Sequence, residues 1–348
     1  MHVHKPTPHT TSATNKASII QKDFGIPESR LKRLSAAASE FISTALKNLA
    51  SFKDSVMGAF QSLSNIARPE TPIIQTESTS FMPKIDATPP KETIDMATLK
   101  SQDISSQLST LKSEYAKPEQ RDAVKSALTE LIKHHIEQGT GQAFTSAAIT
   151  SQIAEEIATP GHNSATLLRS TNIGTLAFSI FAKEVGSDYL KPMEEKIATI
   201  GNAELMEVRP ERVDIQTLLK NQMALQLATA DFLETVANSD RGMPESLKDV
   251  LTDVIMAAGD EGKTAFNGTF FLRLVTPMVM TSIDDTSPNK QSTKTIATLM
   301  QKTANAWSLG NTTVDLAGGG HPHLSFLDEA ASQMIGKFGE FAERIIKT

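Results

Sequence analysis

The sequence predicts an all-α protein, and three observations carry that expectation. Apolar residues over most of the chain recur at alternating steps of three and four, the spacing of one helical face. Runs of alternating β-branched residues bounded by turn residues, which mark half-buried strands, are absent. The 348 residues are 39% hydrophobic and 21% charged, enough apolar material for one large helical core. Helices packed ridge into groove around one extended core satisfy all three observations.

The elements follow in chain order. Eight of the 16 prolines fall within the first 100 residues. Residues 1–18 and 69–93 are also rich in Ser and Thr and poor in large side chains. Such stretches bury too little surface to offset their conformational entropy, so 1–29 is expected to be a disordered leader and 69–93 a Pro/Ser/Thr-rich linker. Between them lies a periodic island, Ile42, Leu46, Leu49, Phe52, Val56, Phe60 and Leu63, on one helical face. Residues 30–68 hold six basic and two acidic side chains, a local +4 in a chain of net −6. A basic amphipathic helix packs on a main domain or a partner, or lies on an anionic membrane surface.

From residue 94 to 348 the pattern is helical. Val124, Leu128, Leu131, Ile132 and Ile136 make one stripe. Leu218, Leu219, Met223, Leu225, Leu227, Phe232 and Val236 make a longer one. The clearest is the last: Leu327, Ala331, Met334, Phe338, Phe341 and Ile345 step by four and three, with Ser325 and Asp328 offering an N-terminal cap.

Composition excludes much chemistry. The acidic balance argues against nucleic-acid binding. Zero cysteines exclude disulfides, thiolate metal sites and thiol nucleophiles. No apolar run is long enough to span a membrane. His321 and His323 follow a triple glycine but have no acidic partner nearby in sequence, and of His134 and His135 only one ring can face a core. No metal site is expected. The triple glycine lacks the strand–turn–helix setting and the Lys-Ser/Thr of a phosphate loop, and hydrolase motifs are absent.

Two arginines stand in apolar settings. Arg169 lies in Ala165-Thr-Leu-Leu-Arg-Ser-Thr-Asn-Ile-Gly174, and Arg273 in Thr269-Phe-Phe-Leu-Arg-Leu-Val-Thr-Pro277. Each alone reads as a helix residue whose stem snorkels to solvent. As a pair they resemble the signatures of the Ras GTPase-activating domain. Thr166-Leu-Leu-Arg169 with the hydroxyl and small residues after it resembles the family's finger loop, Thr-Leu-Phe-Arg. Phe271-Leu-Arg-x-x-x-Pro277 is similar to its Phe-Leu-Arg-x-x-x-Pro run. Weaker matches fall in the family's order. Glu184 to Leu190 looks like the helix ending in Tyr-Leu, and Glu207-Val-Arg-Pro210 like Glu-Ile-Asp-Pro. Asn221 sits in an Asn-x-x-x-Leu-Leu-like helix. Met243 to Leu247 resembles a Pro-x-x-Leu step, and Gln301 to Asn305 resembles Gln-x-x-Ala-Asn. The resemblance covers about residues 120–348.

It implies an extended helical domain that stimulates GTP hydrolysis by a Ras-family small GTPase of Ras, Rap or R-Ras type. Arg169 would be the finger inserted in trans, and Arg273 would bond the finger-loop backbone and hold Arg169 outward. Thr166, Leu168, Ser170, Thr171, Asn172, Leu272, Pro277 and Asn305 would meet the partner or line its groove, with Pro277 also shaping the end of its helix. The domain would need no cofactor of its own, because GTP and Mg²⁺ belong to the GTPase.

Leu168 replaces the family's Phe, Asn172 stands for Ser or Thr, and Ile173 for Leu. Ser308 to Thr313 stands where many members carry Lys-Glu-Pro near the GTPase. Two other readings remain open: a non-catalytic helical module that binds a small GTPase, and a helical adaptor acting through residues 30–68. The cysteine-free chain with its Ser/Thr/Pro-rich leader looks like a bacterial effector delivered into a host cytosol. The alternative is a plain cytoplasmic protein.

Overall fold

The computed structural model describes residues 94–318 and 320–346. They are all-α, with no strand among them. The expectations for residues 1–29, 30–68 and 69–93 lie outside the described residues.

Two short helices open the domain, α1 (Met96–Ser101) and α2 (Ile104–Tyr115). Asp95 caps the first by accepting from the Ala97 and Thr98 N–H groups, and Asp103 caps the second through Ser106. A carboxylate there meets both unsatisfied donors and the positive end of the helix dipole. The Thr98 and Ser106 hydroxyls in turn hold these two carboxyls below their ordinary values.

Helix α3 (Arg121–Glu137) buries Val124, Leu128, Leu131 and Ile132 as the stripe predicts, and of the two adjacent histidines His135 turns inward. Helices α4 (Gly141–Ala158) and α5 (Ile173–Val185) pack closely. At their contact a Cβ on Gly174 would stand 2.8 Å from the Ala148 carbonyl oxygen and 2.8 Å from Gln152 Cβ, so a larger residue would push the helices apart.

Two sequence expectations differ from the structure beyond α5. Gly186 breaks α5 from α6 (Ser187–Asn202), so Tyr189 and Leu190 begin the second helix instead of ending the first. A Cβ at Gly186 would meet the Ala182 carbonyl oxygen at 2.5 Å. In α7 (Ile215–Ala237) the buried residues begin at Asn221 and include Leu225, Phe232 and Val236. Leu219, counted in the apolar stripe, is 50% exposed, because the first turns of α7 bury no side chain.

After α8 (Glu245–Ala258) comes one continuous helical segment in three registers: α9 (Gly262–Phe266), a π-helix (Asn267–Val275) and α10 (Thr276–Thr281). Helices α11 (Lys290–Ser308) and α12 (Asp328–Ile346) complete the domain. A 3₁₀ turn over Pro322–Leu327 runs straight into α12. Ser325 therefore does not cap that helix, and Asp328 instead accepts from the Leu316 N–H at 2.9 Å.

The core around the π-helix is aromatic. Phe271 stacks on Phe338 with centroids 4.5 Å apart, Phe270 lies 5.0 Å from Phe341, and Trp307 sits edge-on to Phe266 at 5.8 Å. These five phenylalanines are fully buried, and truncating one to alanine costs about 3–5 kcal/mol. The cluster fixes the π-helix against α11 and α12. Its opposite face packs on α5 and meets the α4–α5 loop.

Candidate functional site

That loop carries the first arginine. It leaves α4 at Thr159 and makes a 3₁₀ turn at Ser164–Thr166, capped by Asn163, whose side chain accepts from the Ala165 N–H at 3.0 Å. Leu167 and Leu168 plunge into the core and are both 0% exposed. Arg169, Ser170 and Thr171 then surface. Apolar anchoring just before the turn leaves the guanidinium of Arg169 on the outside, where sequence alone could not place it.

Leu168 is the only non-glycine among the described residues with positive φ, at 59°. That conformation costs an L-residue roughly 1–2 kcal/mol and persists only where the surroundings over-determine it. Here two charged side chains grip the loop. Arg273 Nη2 donates to the Arg169 carbonyl at 2.5 Å, to the Ser170 carbonyl at 2.7 Å and, at the limit of 3.5 Å, to that of Leu168. Its Nη1 donates to Thr171 Oγ1 at 3.3 Å. Glu156, in the last turn of α4, accepts from the Leu168 N–H at 2.8 Å. A planar guanidinium carries five N–H donors in a fixed fork, so it reaches the carbonyls and the Thr171 hydroxyl from two nitrogens at once, whereas lysine has three donors on one nitrogen. Burial lowers the pKa of Arg273 and the nearby Glu156 carboxylate opposes that shift. The Arg273 Nε is buried without a partner.

The π-helix makes this reach work. In an α-helix residues five apart are rotated by about 140°, whereas i→i+5 bonding stacks them. Gly268 and Arg273 consequently share the face toward the loop. A Cβ on Gly268 would stand 3.0 Å from the Leu167 carbonyl oxygen and 3.2 Å from Leu168 Cβ, so glycine lets the segment close on the loop. Pro277 lies at the second position of α10 and has no N–H to give the Arg273 carbonyl one turn back. That carbonyl accepts from Ser179 Oγ at 3.4 Å instead.

The Arg169 side chain rests on α11. Its Nη2 donates to Asn305 Oδ1 at 3.1 Å. The same oxygen also accepts from Asn267 Nδ2 at 2.8 Å and Gln301 Nε2 at 3.3 Å. Three donors share one carbonyl oxygen, so the arginine holds only part of its capacity. Beside it a groove of about 470 Å³ runs between α10 and α11, lined by Thr276, Met280, Lys294, Ala297, Thr298, Gln301 and Lys302.

The fold thus brings together Arg169, Arg273, Ser170, Thr171 and Asn305, which sequence analysis singled out. Thr166 is exposed but its hydroxyl donates to the Asn163 carbonyl. Asn172 caps α5 in a reciprocal box with Thr175 and donates to Glu156 at 3.1 Å. Leu272 is half-buried and Pro277 exposed. Leu168 is corrected: its side chain is a core plug and faces no partner. His321 and His323 stand edge to face with ring centroids 6.3 Å apart, and no group of metal-ligating side chains occurs among the described residues.

Three contributors escaped the sequence analysis: Glu156, Asn267 and Gly268. Glu156 carried a readable signal, since Glu155 and Glu156 sit in the last turn of α4 with no basic residue there, opposite to what the helix dipole favours. No protein-family model matches the chain, and a search of curated proteins returns no match.

Proposed function

We propose that the domain stimulates GTP hydrolysis by a Ras-family small GTPase, with Arg169 entering the partner's nucleotide site. The observation that carries this reading is the exposed Arg169 on a loop whose backbone carbonyls are held by Arg273. GTP hydrolysis passes through a loose transition state with charge spread over phosphate oxygens, and an arginine supplied in trans is worth about 10³–10⁵ in rate. Such a gain needs preorganisation: the loop has to be set before the partner arrives, so that no reorganisation is left for the reacting state. The guanidinium stays charged throughout and brings planar, multidentate donors.

GTP and Mg²⁺ come with the partner, and the finger adds charge to a site already built. The side-chain contact of Arg169 with Asn305 is a resting position that phosphate oxygens displace. Ser170 and Thr171 sit on the same exposed turn and meet the partner with it, while Gln301, which shares the Asn305 oxygen with Arg169, lines the adjoining groove.

We extend the proposal to location. The Ser/Thr/Pro-rich residues 1–29 support export of a bacterial effector into a host cytosol, and the basic periodic residues 30–68 support contact with the anionic membrane where small GTPases are anchored. No helix of the described residues is long and apolar enough to cross a membrane. Fusion of residues 1–29 to a reporter tests export, and vesicles with and without anionic lipid test attachment.

The functional test is turnover of GTP-loaded Ras, Rap and R-Ras with and without the protein. Accelerated hydrolysis of at least one supports the reading. Tight binding with slowed or unchanged hydrolysis points to a non-catalytic binding module, and loss of all function on removing residues 1–93 points to an adaptor.

A further inference from the structure

Arg273 accounts for the carbonyls of the finger loop and leaves its donors unexplained. The Leu168 N–H, turned inward by the left-handed backbone, meets Glu156 Oε2 at 2.8 Å. The other carboxylate oxygen, Oε1, accepts from Asn172 Nδ2 at 3.1 Å and from Ser170 Oγ at 3.4 Å. Apart from Gln152 of its own helix, every hydrogen bond of the Glu156 side chain goes to residues 168–172. An acidic side chain at a helix C-terminus is disfavoured by the dipole, so α4 gains nothing from this residue by itself.

We infer that Glu156 is a positioning residue for Arg169: its carboxylate gathers the donors of the finger loop while Arg273 gathers the acceptors, and the two together hold the turn from which Arg169 projects. This rests on the reading of Arg169 as an in-trans finger. A carboxylate suits the place because it is acceptor-only and presents two oxygens. It binds a backbone N–H and an amide NH₂ together, and both bonds are charge-assisted. Glutamine keeps one acceptor and turns a donor toward the Asn172 amide. Asn172 accepts from Thr175 N–H through Oδ1, which leaves its other terminal atom as the one facing Glu156. Exchanging amide and carboxylate between the two positions therefore restores complementarity: the carboxylate at 172 still caps α5 and accepts from the amide at 156, whose oxygen accepts the Leu168 N–H.

The experiment uses the full chain with Glu156→Ala, Glu156→Gln and the pair Glu156→Gln/Asn172→Asp. Two readouts are taken: amide hydrogen exchange at Leu168, and kcat and KM for hydrolysis by whichever of GTP-loaded Ras, Rap or R-Ras the wild type stimulates. In Glu156→Ala, exchange at Leu168 rises roughly tenfold or more, because its closed state is no longer held. The same change lowers kcat about tenfold with KM nearly unchanged, the signature of an interaction realised in the transition state. Glu156→Gln falls between wild type and alanine, and the pair returns both readouts toward wild type.

Unchanged exchange at Leu168, or a rise in KM with kcat intact, overturns the inference. A pair no better than Glu156→Gln also overturns it, since the carboxylate would then act through its charge on Arg273 and not through the loop's donors. If wild type stimulates none of the three GTPases, the finger reading fails, and Leu168 exchange alone decides whether Glu156 sets the loop.

Discussion

Arg273 reaches back 104 residues in sequence to donate to the carbonyl oxygen of Arg169 at 2.5 Å. One arginine thereby holds the backbone around another, whose own exposed guanidinium makes a single side-chain hydrogen bond, to Asn305. The relationship depends on a π-helical register at 267–275 and on two leucines that anchor the turn from below.

The first prediction concerns that grip. Arg273→Lys offers one nitrogen where the guanidinium now serves four residues, and Arg273→Ala offers none. A catalytic group displaced by about 1 Å loses roughly 10²-fold, so Arg273→Ala is expected to lower stimulated kcat by about that factor and Arg273→Lys by somewhat less. Pre-steady-state turnover checks it, and lysine performing like arginine would show that charge alone suffices.

Asn305 governs where Arg169 rests. Asn305→Asp keeps an acceptor for Asn267 and Gln301 and converts the Arg169 contact into an ion pair. The contact is already charge-assisted and exposed, so the ion pair adds about 0.2–1 kcal/mol. The tighter resting contact is expected to lower kcat/KM about two- to fivefold with no loss of melting temperature.

Close packing of α4 on α5 makes a stability prediction. Gly174→Ala places a methyl 2.8 Å from the Ala148 carbonyl oxygen, a backbone atom that cannot swing away. The change is expected to destabilise the domain by about 1–3 kcal/mol, as overpacking does. Urea unfolding checks it.

His135 predicts acid sensitivity. Its ring is buried against Phe144, with centroids 4.7 Å apart, and lies between Gln107 Oε1 at 2.9 Å and Thr140 Oγ1 at 2.8 Å. Gln107 Nε2 donates to the Leu99 carbonyl, which orients its oxygen toward the ring and assigns the proton to Nε2. Burial first, and neighbouring His134 second, hold the pKa below the ordinary 6.5. A base with a depressed pKa in the folded state stabilises the fold above its ordinary value, and this is lost as pH falls below 6.5. Melting temperature is expected to fall from neutral pH toward the depressed value, and His135→Gln is expected to flatten that fall.

Much of the fold was legible because helical periodicity is a local property. The stripe at 327–345 is buried as written, and the one at 124–136 is buried from Val124 to Ile132 with Ile136 half-buried. The misses have physical causes. Leu219 belongs to an apolar stripe whose first turns have no cover, and tertiary context decides that. Gly186 reads as tolerable inside a helix until the Ala182 carbonyl is seen beside it. At the candidate site, Arg169, Arg273 and Asn305 were legible as types in an order. Asn267 and Gly268 were not, because their roles are contacts with a residue 38 positions away or, for Gly268, with a loop 100 residues earlier; Glu156 showed only as an acid in the last turn of a helix, its partners 12 to 16 residues on. The π register, which aligns Gly268 with Arg273, leaves no pattern in single residues.

The most direct measurement is single-turnover hydrolysis by GTP-loaded Ras, Rap and R-Ras with wild type and with Arg169→Ala. The Arg169 side chain is exposed and makes one hydrogen bond, so its loss leaves fold and docking surface in place. Arg169→Ala is expected to abolish about 10³-fold or more of the stimulated rate, while binding of the GTP-loaded partner stays within a few-fold. Stimulation by Arg169→Ala equal to wild type would contradict the assignment of the finger.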